Sequence, residues 1–143
     1  MIFQDPMMTL NPVLRIDTQM IEAVQAHHQV SQSEARTRAR DALGRVGIPS
    51  PEERLAAYPH QFSGGMRQRV VISLALCAEP VLVIADEPTS ALDTDNRAAF
   101  IKLLFEECDK QGSTLIFVSH DPYLEPLFPR VENLQQLNRR ASC

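Results

Sequence analysis

Two adjacent carboxylates, Asp86 and Glu87, follow the apolar run Val81-Leu82-Val83-Ile84-Ala85. A short apolar run with β-branched residues has the pattern of a parallel strand buried on both faces. Acids ending such a strand fall at the C-terminal edge of the sheet, where α/β proteins bind ligands. Uncompensated charge there is costly, so a cation is the natural neutraliser. Asp86 suits a magnesium ion held through water, and Glu87 suits a base for an attacking water. Taken alone, the pair reads equally well as a polar strand end before the turn at Pro88.

Two further segments share the same chemistry. Phe62-Ser63-Gly64-Gly65-Met66-Arg67-Gln68-Arg69 precedes the acids. Its glycines let a phosphate approach the backbone, and the helix that follows offers free N–H groups and a partial positive charge. Ser63 adds a hydroxyl donor, although two glycines by themselves fit a simple turn before a helix. Downstream stands Val118-Ser119-His120-Asp121. A histidine there can hydrogen-bond a phosphate oxygen or orient a water beside Glu87, whereas a lone histidine is more often structural. Ala91-Leu92-Asp93 completes a polar turn able to face a partner chain.

The elements that must carry these residues are marked by caps and breakers. Met1-Ile2-Phe3 has the character of a strand end, and Asp5-Pro6 and Asn11-Pro12 mark loop geometry. Residues 16–26 form an expected helix. A second begins at Ser31, which makes a capping box with Glu34, and carries the apolar stripe Ala35, Ala39, Leu43 and Val46. Gly47 stops it, and Arg36, Arg38, Arg40 and Arg45 surround it as an expected solvated face. Residues 51–57 make a short helix, and Ser63-Gly64-Gly65 opens a long one through Cys77, ended by Pro80. Strand 81–85, helix 96–110 closed by Gly112, and a second buried strand over 114–118 alternate as in an α/β layer fold. Residues 124–137 read as helical or irregular, and a frayed tail begins at Arg139.

Bulk composition narrows the class. The 143 residues suit one compact domain, and a net charge of -4 gives no footing for a nucleic-acid partner. Three dispersed cysteines, Cys77, Cys108 and Cys143, form no metal-binding pair and read as reduced thiols of a cytosolic protein. No apolar run approaches the roughly 20 residues of a membrane span, so work at a membrane requires another subunit to do the spanning. His27 and His28 are adjacent, face apart on a helix and read as surface.

Order and spacing together resemble the nucleotide-binding subunit of ABC transporters. Gln4 matches the Q-loop glutamine, Phe62 to Met66 the signature motif, and Asp86 with Glu87 the Walker B pair. Ala91 to Asp93 match the D-loop and His120 the switch histidine. The resemblance implies an α/β fold, a P-loop NTPase-like parallel sheet, incomplete here, with a helical subdomain of the ABC ATPase type. It divides the chain into a Q-loop segment (1–13), a helical subdomain (14–61), an ATPase-core part (62–138) and a tail (139–143). It also implies ATP and Mg2+ as cofactors. Glu87, His120 and Gln4 would serve catalysis, while Ser63, Gly64, Gly65, Gln68, Asp86 and Asp93 would hold the nucleotide, with Asp86 and Gln4 at the metal. The implied partners are a transmembrane permease subunit and a second ATP-binding subunit, at the cytoplasmic face of the membrane.

Phe3-Gln4-Asp5-Pro6 with Leu10-Asn11-Pro12, and Tyr58-Pro59-His60-Gln61 leading into the signature, resemble the subfamily that imports peptides and nickel. After Asp93 the resemblance shifts toward the exporter or lipoprotein-release branch. No G-x-x-x-x-G-K-[ST] phosphate loop occurs in these 143 residues. The chain alone is therefore expected neither to bind ATP tightly nor to hydrolyse it. In relatives the strands that carry that loop flank 81–85 and 114–118, so open apolar strand faces and poor solubility are expected as well. Two other readings stand beside a transporter ATPase: a soluble ABC protein of DNA repair or translation, and a catalytically incomplete remnant or regulatory partner. The short helical block and the importer-like motifs speak against the first.

Overall fold

The structure is a computed structural model that describes residues 1–3, 5–90 and 92–140. The chain enters along the sheet. Ile2 pairs in parallel with Ala85, its N–H donating to Ile84 O at 2.8 Å and its carbonyl accepting from Asp86 N at 2.9 Å. Helices α1 (Pro6–Thr9), α2 (Ile16–His27), α3 (Gln32–Arg45) and α4 (Pro51–Leu55) follow. A 3₁₀ turn at Pro59–Gln61 leads into α5 (Gly64–Leu76), then β1 (Leu82–Asp86), α6 (Thr94–Gln111) and β2 (Thr114–Val118). The chain closes with a 3₁₀ turn, Pro122–Leu127, and α7 (Leu134–Arg140).

β1 and β2 run parallel in register from Leu82 opposite Thr114 to Asp86 opposite Val118. Successive backbone groups of a strand point to opposite sides, so Ile84 and Asp86 serve Ile2 while Val81 and Glu87 serve β2. β1 is thus the central strand, and α6 is the crossover.

Local chemistry explains the boundaries. Ser31 Oγ accepts from Glu34 N at 3.2 Å, but the Glu34 carboxylate turns to Arg38 at 2.9 Å. The expected capping box is therefore only half made, because a full charge outcompetes a return to the backbone. At the other end of α3, Gly47 takes φ 75°, with Gly47 N on Gly44 O and Ile48 N on Leu43 O. That pair of bonds is a Schellman closure, which needs the left-handed conformation glycine adopts freely. Proline at the start of α1 explains why Asp5-Pro6 opens a helical turn instead of a loop: its missing N–H is not needed there. α5 ends at Leu76, four residues before Pro80, and Glu79 takes φ 52° between them.

A single apolar core runs through the molecule. Ala35, Ala39, Leu43 and Val46 are buried as the stripe predicts, and Ile2, Leu55, Val70 and Leu104 join them. The strands depart from the expectation of burial on both faces. Val83 and Ala85 face inward, while Leu82 and Ile116 stay 46% and 47% exposed. Burial alternates along both strands, so among the described residues one face of this narrow sheet is covered and the other stays open.

The arginine face of α3 is also not simply solvated. Arg36 bonds Asp17 at 3.0 Å and Glu52 at 2.7 Å, fastening α2, α3 and α4 together. Burial alone would raise the Asp17 carboxyl, but hydrogen bonds from Arg15 and Arg36 outweigh it and hold it below the ordinary 3.8. Arg45 lies 3.9 Å from Glu107, a buried acid of α6 that also pairs with Lys110 at 2.7 Å. His28 Nε2 lies 3.3 Å from Ala78 O, so this ring touches the turn after α5 and does not stand free. Cys77 and Cys108 are buried free thiols, and burial pushes that of Cys77 up to about 11. Cys143 lies outside the described residues. α7 continues to Arg140, past the expected start of the tail.

Candidate functional site

The site is built where β1 and β2 end side by side. Asp86 closes β1, and its half-buried carboxylate makes no hydrogen bond or ion pair among the described residues. Glu87 follows in the left-handed region, φ 46°, which is costly for a residue with a side chain. The local bonds hold it there: Glu87 N donates to Val118 O at 2.9 Å, and Ser90 N returns to Glu87 O at 3.2 Å. The reversal aims the carboxylate at the loop leaving β2. Oε1 accepts the His120 backbone N–H at 3.0 Å and the ring Nδ1 at 2.6 Å, and Oε2 accepts from Ser119 Oγ at 3.4 Å.

This contact sets the charge behaviour of His120. Its hydrogen bond to Glu87 comes first, then the coulombic pull of Glu87 and, weakly, of Asp121; together they raise the imidazole above its ordinary 6.5. A raised folded pKa means that the interaction is fully present below 6.5 and fades as pH rises through the higher folded value. Glu87→Gln is therefore expected to return the His120 titration, followed by NMR of the ring, toward 6.5. An unchanged titration would dissolve the pair.

The second group lies at the N-terminus of α5. Ser63 caps the helix, its Oγ accepting from Met66 N at 3.4 Å, which leaves the hydroxyl proton to donate elsewhere. Gly64 is open: a side chain there would meet nothing within 4 Å. Gly65 faces Asn96 of α6, whose Oδ1 lies 3.9 Å from where a Cβ would stand. Asp93 caps that neighbouring helix. Bonds from Asn96 N at 2.9 Å and Asn96 Nδ2 at 2.8 Å hold the Asp93 carboxyl below its ordinary range. The α5 and α6 N-termini therefore sit together, a paired source of free N–H groups.

The structure thus brings Glu87, Ser119 and His120 into one cluster, and Ser63, Gly64, Gly65 and Asp93 into another. No hydrogen bond or ion pair joins the two among the described residues. Gln68 is 3% exposed, one turn inside α5, with its Oε1 unpartnered. It lies beneath the glycine surface and not on it. Gln4 and Ala91 lie outside the described residues. Sequence reasoning gave Ser119 and Asp121 no separate role and passed over Arg97. Arg97 pairs with Asp121 and donates to Leu92 O at 3.4 Å.

Asp86 offers a hydrated cation one carboxylate, with no cluster of three ligating side chains among the described residues, and the α5 N-terminus suits a phosphate. A half-buried, unpaired carboxylate at a sheet edge is a hard-cation donor, and the open glycine N-terminus of α5 is an anion cradle. The same architecture occurs in solved ABC cassettes. CbiO1 of Clostridium perfringens, described as part of the ABC transporter complex cbiONQ, superposes with a TM-score of 0.73 at 33% identity, over 88% of this chain and 48% of its own. The dimeric bacterial ABC transporter cassette MJ0796 gives 0.67 at 28% identity, over 87% of this chain and 53% of its own. The same cassette bound to ADP and Pi gives 0.68 at 29% identity, over 85% and 53%. The fold matches that of ABC ATPase cassettes over about half of their length. The profile of the family described as "ABC transporter" matches residues 1–90, and the chain belongs to that family.

Among curated relatives, the oligopeptide transport ATP-binding protein OppD of Bacillus subtilis (strain 168) is 49% identical over 121 residues, 85% of this chain and 34% of the relative. The dipeptide transport ATP-binding protein DppD of Escherichia coli (strain K12) is 50% identical over 121 residues, 85% of this chain and 37% of the relative. The chain therefore spans about a third of the length of these relatives. Among the described residues, no helix is long and apolar enough to cross a membrane.

Proposed function

We propose that this chain supplies the signature helix, the acidic strand end and the switch histidine of an ATP-hydrolysing subunit that drives peptide transport across a membrane. The observation that carries the reading is Glu87: its carboxylate is held by His120 and Ser119 beside the unpaired Asp86. Asp86, with Gln4, would hold Mg2+, and Mg2+ when bound neutralises phosphate charge. Glu87 takes a proton from the attacking water, and His120 orients the groups around it. Ser63, Gly64 and Gly65 offer N–H and O–H donors to the phosphates held by an opposing chain. Asp93, on the same surface, faces that partner.

The partners in this reading are a second ATP-binding subunit and a membrane permease, with the chain peripheral at the cytoplasmic face. Peptide as cargo rests on the two relatives of about 50% identity. The experiment is ATP hydrolysis by the subunit containing this chain, assembled with its permease in liposomes, with and without short peptides. Peptide-dependent hydrolysis is expected, and peptide-independent hydrolysis would remove the cargo. No hydrolysis would leave the regulatory reading. The 143 residues hold no Gly-rich phosphate loop, so alone they are expected to show no micromolar affinity for ATP in calorimetry.

A further inference from the structure

Within the site the loop carrying His120 is held by Glu87 alone, whose carboxylate takes the His120 N–H and the Ser119 hydroxyl. The His120 side chain is 84% exposed, and among the described residues its ring hydrogen-bonds only to Glu87. β2 has already ended at Val118, so the ladder does not hold residues 119–121.

Asp121 does. One oxygen, Oδ1, caps the following 3₁₀ turn by accepting Tyr123 N at 3.0 Å. The other, Oδ2, accepts from Arg97 Nη1, and the pair is largely enclosed, with side chains 30% and 19% exposed. The Asp121 backbone N–H donates to Ser119 Oγ at 3.2 Å, and that hydroxyl donates to Glu87 Oε2. Arg97 also reaches Leu92 O at 3.4 Å, while its Nε is buried without a partner. A guanidinium left with a buried unsatisfied donor is kept in place by its other bonds, and Asp121 is the charged one. A continuous chain of bonds therefore runs from the turn before α6, through Arg97, Asp121 and Ser119, to Glu87 and His120.

We propose that Arg97 is a positioning residue for His120: by holding Asp121 against the first turns of α6 it fixes the loop that presents His120 Nδ1 to Glu87. The proposal rests on the reading of Glu87 and His120 as the reacting pair. It implies that movement of the Leu92–Asp93 turn, which faces the partner subunit in that reading, is passed to His120 through one side chain.

The test is the tautomer of the His120 ring in the full chain, read by nitrogen NMR above the ring's titration. A carboxylate only accepts, so Nδ1 must carry the proton while the contact holds. In Arg97→Gln the ring is expected to shift from predominantly Nδ1–H to predominantly Nε2–H, and Arg97→Lys to restore much of the original state. Asp121→Asn, which keeps the side-chain shape and the cap on Tyr123, is expected to repeat the shift and decides the matter if Arg97→Gln fails to fold. Retention of Nδ1–H in these variants overturns the proposal. The readout needs no ATP, so a ring shift without any hydrolysis by the assembled transporter would sink only the functional reading. A merely structural role would lower the denaturation midpoint and leave the tautomer unmoved.

Discussion

Glu87→Gln in the assembled transporter is expected to slow ATP turnover by about 10²- to 10⁴-fold, the range a positioned general base contributes, with little change in the KM for ATP. The replacement keeps the shape at φ 46° and removes only the basicity, so the backbone reversal that aims the residue is preserved. Glutamine can still accept from the His120 N–H through its carbonyl oxygen, which keeps the loop near its place. In the proposed function, what disappears is the acceptor for the proton of the attacking water. The effect should therefore fall on kcat, as for an interaction made only in the transition state. A variant within threefold of wild type would remove Glu87 from the chemistry and leave it as a strand-end turn residue.

The second large effect is on stability. Leu43→Ala is expected to cost about 2–5 kcal/mol, as for buried leucines whose cavity only partly collapses. Leu43 is fully buried on α3, in the stripe with Ala35 and Ala39. Its neighbours in that stripe are already small, so little bulk is at hand to fill the space. Its carbonyl takes the Ile48 N–H in the turn that closes α3, and alanine keeps that bond, so the loss reports packing alone. Against a usual total of roughly 5–15 kcal/mol, such a loss removes much of the margin. Urea denaturation measures it. A change under about 1 kcal/mol would show that the site collapses readily, contrary to the close packing of interiors.

Most of the element order was legible because it is encoded locally. Ser31 and Ser63 each cap the helix they precede, and Gly47 and Gly112 each take the left-handed conformation that ends one, whereas the cap at Asp93, which starts α6 at Thr94 and not at Asn96, went unread. Such signals need only a few neighbouring residues, so a single sequence carries them whole. The acid pair was equally visible, since an apolar run ending in two carboxylates has few inexpensive resting places.

The contacts that turn those residues into a site are of another kind. Glu87 meets Ser119 and His120 across 32 and 33 residues of chain, and Arg97 meets Asp121 across 24. Arg36 joins Asp17 to Glu52, and Arg45 reaches Glu107, although spacing alone made that helix face look solvated. The half-open sheet has the same origin, since a strand's sequence records its apolar character but not how many neighbours will cover it. The chain by itself determined the two strands and the main helices, with their ends within a few residues, and that two acids and a histidine end the strands; α1 and the last turn of α7 were not legible. Only the tertiary structure decided that β1 and β2 lie side by side, that Glu87 turns left-handed toward His120, and that Arg97 ties their loop to α6. Those outcomes depend on packing and pairing between distant residues, and no local propensity encodes them.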